Sequence, residues 1–115
     1  MLVLCLAVGL LRQDRAQSVF GTEKGVQLPM LMYHSILKDS ARQGKYVISP
    51  AVLAADLDAL QQRGYETVTV SDLLAYVQDG APLPEKPVMI TFDDGYYNNY
   101  VYAYPLLQQR GMRAV

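Results

Sequence analysis

The stretch Val88-Met89-Ile90-Thr91-Phe92-Asp93-Asp94-Gly95 (VMITFDDG, residues 88–95) decides the fold of this chain. Its first five residues, VMITF, form an apolar and β-branched run of strand length. Such a run fits a strand buried on both faces, the kind found in parallel sheets because crossover helices cover them. Ala81 to Pro87 (APLPEKP) leads into it with three prolines and reads as loop. Asp93-Asp94-Gly95 ends it with two acids and a residue that tolerates a sharp turn.

Upstream, strands and helices alternate. Leu28 to Tyr33 (LPMLMY) is a short apolar run of strand length, and residues 37–46 (LKDSARQGKY) read as a surface loop. Ser49-Pro50 signals a helix start, a hydroxyl cap followed by a proline at the first helical position. Leu53, Leu57 and Leu60 then form one apolar stripe, and Gly64 marks the stop. Glu66 to Val70 (ETVTV) reads as a strand, and Ser71 and Asp72 open a second helix that closes at Gly80. Downstream, Asn98 to Arg110 reads as a helix that Pro105 kinks or restarts, with Gly111 as its end; Arg113-Ala114-Val115 opens a further strand. This order predicts an α/β fold with parallel strands. Three or four strands with three helices make less than half of an eight-fold barrel of about 250 residues.

Composition narrows the function classes. The chain has 115 residues, 51% hydrophobic and 18% charged, and its ten basic and eleven acidic residues leave a net charge of −1. That is one globular domain at most, too apolar for disorder. No basic cluster is available for a nucleic-acid partner. Met1 to Leu11 is an apolar run too short for a bilayer, which takes about 20 residues, and of a length that suits a secretory signal. Residues 1–21 are therefore expected to be a signal peptide or N-terminal anchor, which implies a secreted or cell-envelope protein and membrane contact only through that segment. Residues 22–27 read as a linker and 28–115 as the domain. Cys5, the single cysteine, lies in the leader as an apolar filler, so a mature chain has no disulfide.

The chemistry belongs at the end of the 88–92 strand, because α/β folds bind ligands beyond the carboxyl ends of their strands. One carboxylate there can ligate a cation while its neighbour takes a proton from the water the cation activates. An N-cap for the following helix is the purely structural alternative. His34 follows the 28–33 strand and either hydrogen-bonds locally or lines the same rim. Five tyrosines crowd positions 96, 97, 100, 102 and 104; helical spacing spreads them, so most are expected to pack, with Tyr96 the one nearest a groove.

ITFDDGY after KPV resembles the first motif of the polysaccharide deacetylases, the NodB-homology enzymes of carbohydrate esterase family 4. LPMLMYHSI and ISPAVLAADLDALQQRGYETVTVSDLLAYV extend the similarity from about Leu28 to Val115. The resemblance implies a distorted (β/α) barrel, here truncated after about three βα units, in the N-terminal part of such a domain. It implies a metal-dependent hydrolase that removes N-acetyl groups from amino sugars of peptidoglycan, a chitin-like polymer or poly-N-acetylglucosamine. By position in the motif, Asp93 is the general base and Asp94 the ligand of a divalent metal, zinc in most descriptions. Gly95, Tyr96 and His34 are candidates to line the site. The family's two metal histidines come from a later H-[ST]-x-x-H motif, and His34, the one histidine here, matches neither. Residues 1–115 alone are accordingly expected to be inactive. Two alternatives are a carbohydrate-binding member without activity and a phosphotransferase with an aspartyl nucleophile. The latter chemistry generally wants D-x-D rather than D-D-G.

Overall fold

A computed structural model describes residues 25–115. The expected leader with Cys5 lies outside the described residues. In chain order the elements are β1 (Met30–Tyr33), β2 (Ser35–Ile36), β3 (Val47–Ile48), α1 (Pro50–Gln62), β4 (Glu66–Thr67), α2 (Val70–Asp79), β5 (Pro87–Phe92) and α3 (Tyr104–Gln109). Among the described residues no helix is long and apolar enough to cross a membrane.

β5 is the centre of a three-stranded parallel sheet in the order β1-β5-β4. Its apolar run explains that place: Val88, Met89 and Ile90 are all buried, as a strand with neighbours on both edges and a helix layer on one face requires. β1 pairs with it from Met30↔Met89 to Tyr33↔Phe92, and β4 pairs through Glu66↔Pro87 and Thr67↔Val88. Where β4 stops, Val115 takes over the same edge. Its N–H donates to the Ile90 carbonyl at 2.8 Å, and its carbonyl accepts from the Phe92 N–H at 2.9 Å. This is parallel-ladder geometry, so the strand expected at 113–115 does begin there. β2 and β3 form a second, two-stranded parallel pair. The segment 37–46, read as loop, therefore carries a 3-10 turn at Ser40–Arg42 and leads directly into β3.

α1 packs as its stripe demands. The Ser49 hydroxyl accepts from the Val52 N–H at 3.2 Å and Pro50 occupies the first turn. Leu53 and Leu57 are fully buried against Ile36, Ile90, Ala103, Leu107 and Met112, and Leu60 is partly buried on the same cluster. Leu57→Ala is expected to cost about 2–5 kcal/mol, the usual range for a leucine truncated in a tight core. Urea unfolding would read this as a lower midpoint at constant slope; an unchanged midpoint would remove α1 from the core.

Several boundaries differ from expectation, β1 starting at Met30 and β5 at Pro87. The second helix begins at Val70 rather than at Ser71, because the Asp72 carboxylate accepts from the Thr69 N–H at 2.7 Å and from its hydroxyl at 2.8 Å. Thr69 thus becomes the cap, and the strand expected over 66–70 shrinks to Glu66–Thr67. The Thr69 bonds, aided by Arg113 at 2.9 Å, hold the Asp72 carboxyl below the usual carboxylate range. α2 buries none of its residues. The last helix is not uniform either: Asn99–Ala103 form a π-turn before α3. Pro105 supplies the reason. It has no N–H for the Val101 carbonyl and its ring crowds that carbonyl, so the wider register relieves both.

Candidate active site

Both acids sit at the carboxyl end of the central strand, where β5 gives way to a tight 3-10 turn, Asp93–Gly95. The turn is unusual in its backbone. Asp94 has φ 68° and Gly95 φ 62°, two successive left-handed residues. Glycine adopts that region freely, and among other residues Asp and Asn are the ones that tolerate it. Asp94 is the one non-glycine residue with positive φ among the described residues. Backbone strain of this kind persists where the surrounding structure holds it, most often at functional sites.

The turn brings Asp94 to the end of β1. His34 Nε2 lies 4.0 Å from Asp94 Oδ2, too far for a hydrogen bond. The His34 side chain is 20% exposed and that of Asp94 61%. Together with Tyr46 and Tyr96 they line a hollow of about 300 Å³. The Tyr46 ring leans on the imidazole, with centroids 4.9 Å apart, and Lys45 Nζ sits 5.0 Å from the same Tyr46 ring. Asp93 is half-buried and does not line this hollow. Strand alternation sets it on the face of Met89 and Thr91, opposite the helix-covered face of Ile90 and Phe92. It takes part in none of the ion pairs among the described residues.

Four of the residues expected at the site are therefore close together: His34, Asp94, Gly95 and Tyr96. Asp93 is adjacent in the turn but opens elsewhere. His34 combines both readings given to it, since its carbonyl accepts a local hydrogen bond from Asn99 Nδ2 at 2.6 Å while its ring faces Asp94. Tyr46 was missed because it ends a segment whose polar composition reads as loop; its place depends on β3 pairing with β2. The tyrosine expectation needs correction. Tyr102 is partly buried on the core, but Tyr97, Tyr100 and Tyr104 are exposed and stack in a row with centroids 5.8 and 5.7 Å apart.

Behind the rim, Tyr33 stacks on Phe92 at 5.5 Å and donates its hydroxyl to Asp56 Oδ2 at 2.9 Å. Burial, and then the Asp56 carboxylate, push the phenol well above its ordinary pKa. The residue before His34 is thus tied to α1.

The donor chemistry at the turn suits a divalent cation in kind: a largely exposed carboxylate in Asp94 and an imidazole nitrogen facing it. In number it falls short. Among the described residues no group of three His, Cys, Asp or Glu side chains could hold a metal ion, whereas a catalytic zinc site takes three protein ligands.

Comparison with known proteins places these features. Residues 80–115 match the sequence signature of the polysaccharide deacetylase family. YxkH of Bacillus subtilis (strain 168), named as a polysaccharide deacetylase, is 39% identical over 104 residues, 90% of this chain and 36% of that protein. The poly-beta-1,6-N-acetyl-D-glucosamine N-deacetylase of Escherichia coli (strain K12) is 32% identical over 78 residues, 68% of this chain and 12% of that protein. The chain thus spans little more than a third of the one relative and about an eighth of the other. Among solved structures, the Streptococcus pyogenes deacetylase PplD in complex with acetate superposes with a TM-score of 0.69 at 26% identity, over 79% of this chain and 42% of that one.

Proposed function

We propose that this chain, which belongs to the polysaccharide deacetylase family, contributes the Asp93-Asp94 half of the active site of a hydrolase acting on N-acetylated amino sugars of an extracellular polysaccharide. The observation that carries the proposal is the left-handed turn at the carboxyl end of β5, which sets Asp94 beside His34 at a rim where α/β folds bind ligands. A relative named for poly-N-acetylglucosamine makes that polymer the first substrate to test.

The chemistry is hydrolysis of an acetamide. A water attacks the acetyl carbonyl, the C–N bond breaks, and acetate and a free amine result. Asp93 accepts the proton of the attacking water as general base. Asp94 is the residue that would hold the divalent metal, zinc in this reading, which when bound polarises the carbonyl and lowers the pKa of water. His34, Tyr46 and Tyr96 wall the open hollow beside Asp94. The remaining metal ligands and the group that protonates the leaving amine are not among the described residues. Residues 1–21 as an export signal would deliver such an enzyme to its polymer.

The test is acetate release from N-acetylglucosamine oligomers by the intact protein that carries this chain, before and after chelation. Turnover is expected, with loss on chelation and recovery on adding zinc. Turnover indifferent to chelation would remove the metal, and oligomer binding without turnover would favour a binding-only member of the fold. The 115-residue chain assayed alone is expected to release no acetate, because a metal held by Asp94 alone has too few protein ligands. Metal-dependent turnover by that chain would overturn this.

A further inference from the structure

We propose that Asn98 and Asn99 are positioning residues that lock the strand end carrying His34 onto the turn carrying Asp93 and Asp94; the catalytic consequence rests on the deacetylase reading of the site. The need for a lock follows from where the main ladder ends. β1 and β5 pair as far as Tyr33↔Phe92. Beyond that pair the left-handed backbone of Asp94 and Gly95 turns the chain away, and β5 offers no further partners. The segment that continues β1 pairs with β3 instead, the Ser35 N–H donating to the Tyr46 carbonyl at 3.1 Å and the Leu37 N–H to the Ile48 carbonyl at 3.0 Å. Alternation then points the His34 carbonyl and the Ile36 N–H to the edge away from β3, where no strand pairs with β2 among the described residues. Main-chain groups away from water need partners.

The two asparagines supply them. Asn99 Nδ2 donates to the His34 carbonyl at 2.6 Å, and Asn98 Oδ1 accepts from the Ile36 N–H at 3.3 Å. Asn98 Nδ2 also donates to Ser35 Oγ at 2.8 Å. Ser35 and Ile36 are buried, so these bonds are shielded from competing water. An asparagine amide carries both a donor and an acceptor, so it can serve a carbonyl or an N–H. Aspartate at either place would lose the donor and bring a further negative charge beside Asp93 and Asp94. The π-turn starts at Asn99, and such turns recur at functional sites. Asn99 Oδ1 is buried with no partner among the described residues, a cost in stability. The lock fixes the spacing between His34 and Asp94 where the sheet no longer does.

The test uses the intact protein, with crystal structures and steady-state kinetics of wild type, Asn99→Ala and Asp58→Ala. Asp58→Ala removes the 2.7 Å ion pair between Asp58 on α1 and Arg110 at the end of α3 and serves as a control for stability. Asn99→Ala is expected to release the imidazole from its 4.0 Å spacing to Asp94 and to lower kcat about 10–100-fold, as small misplacements of reacting groups do. KM should stay near wild type, and the control should keep both its His34 position and its kcat. Asn99→Asp keeps the shape, loses the donor and carries the same expectation, so it serves if alanine prevents folding. An unmoved His34 and a wild-type kcat in the Asn99 variants would overturn the proposal, as would an equal loss of kcat in Asp58→Ala. If the wild-type protein released no acetate and Asn99→Ala still displaced His34, the deacetylase reading would fall and the lock would stand.

Discussion

Asp93→Asn in the intact protein is expected to lower kcat for acetate release by about 10²–10⁴-fold, the range a positioned general base contributes, while the metal content stays unchanged. Asparagine has the shape of aspartate, so the turn and the neighbouring Asp94 should keep their geometry. What is lost is an oxygen able to take a proton at neutral pH. Asp93 is half-buried and in no ion pair among the described residues, so its replacement strands no charged partner. A kcat close to wild type with metal still bound would falsify the assignment.

Asp94→Asn should act on the metal instead. Metal affinity is expected to fall by more than the roughly 10–100-fold that a lost outer hydrogen bond to a ligand costs, and acetate release should fall with it. Asparagine is the informative replacement because of the backbone. At φ 68° an alanine would add strain of its own, whereas asparagine tolerates the left-handed region nearly as aspartate does. A thermal midpoint near wild type, together with lost metal by elemental analysis, would identify Asp94 as a ligand. Full metal content in Asp94→Asn would rule that out. The two variants separate the roles: one keeps metal and loses turnover, the other loses both.

Much of the fold was legible along the chain. VMITF is buried at the centre of the sheet, and the Ser49-Pro50 start and the Leu53, Leu57, Leu60 stripe fall where expected. These are local or periodic signals, and capping and amphipathic burial act within one element. The helix start at Val70 was missed by one residue because two residues compete to cap it. Thr69 won when both its N–H and its hydroxyl found the Asp72 carboxylate. The tyrosines misled for another reason. Of the five, Tyr97, Tyr100 and Tyr104 stand at i, i+3 and i+7, so they share one helical face, and that face is exposed.

Residue order along the chain was enough to assign the α/β class, the strand end that carries the acids, and the resemblance in TFDDG, because each of these depends on neighbours a few positions apart. Three things came from folding. β5 lies between β1 and β4 although it follows both in the chain. Tyr46 reaches His34 through the β2–β3 pairing. Asn98 and Asn99 take the main-chain groups of a segment more than sixty positions earlier. The common reason is that hydrogen bonds between distant segments depend on register and on which backbone groups a neighbour leaves unpaired. Neither is encoded in any one stretch of residues; both exist once the strands have docked.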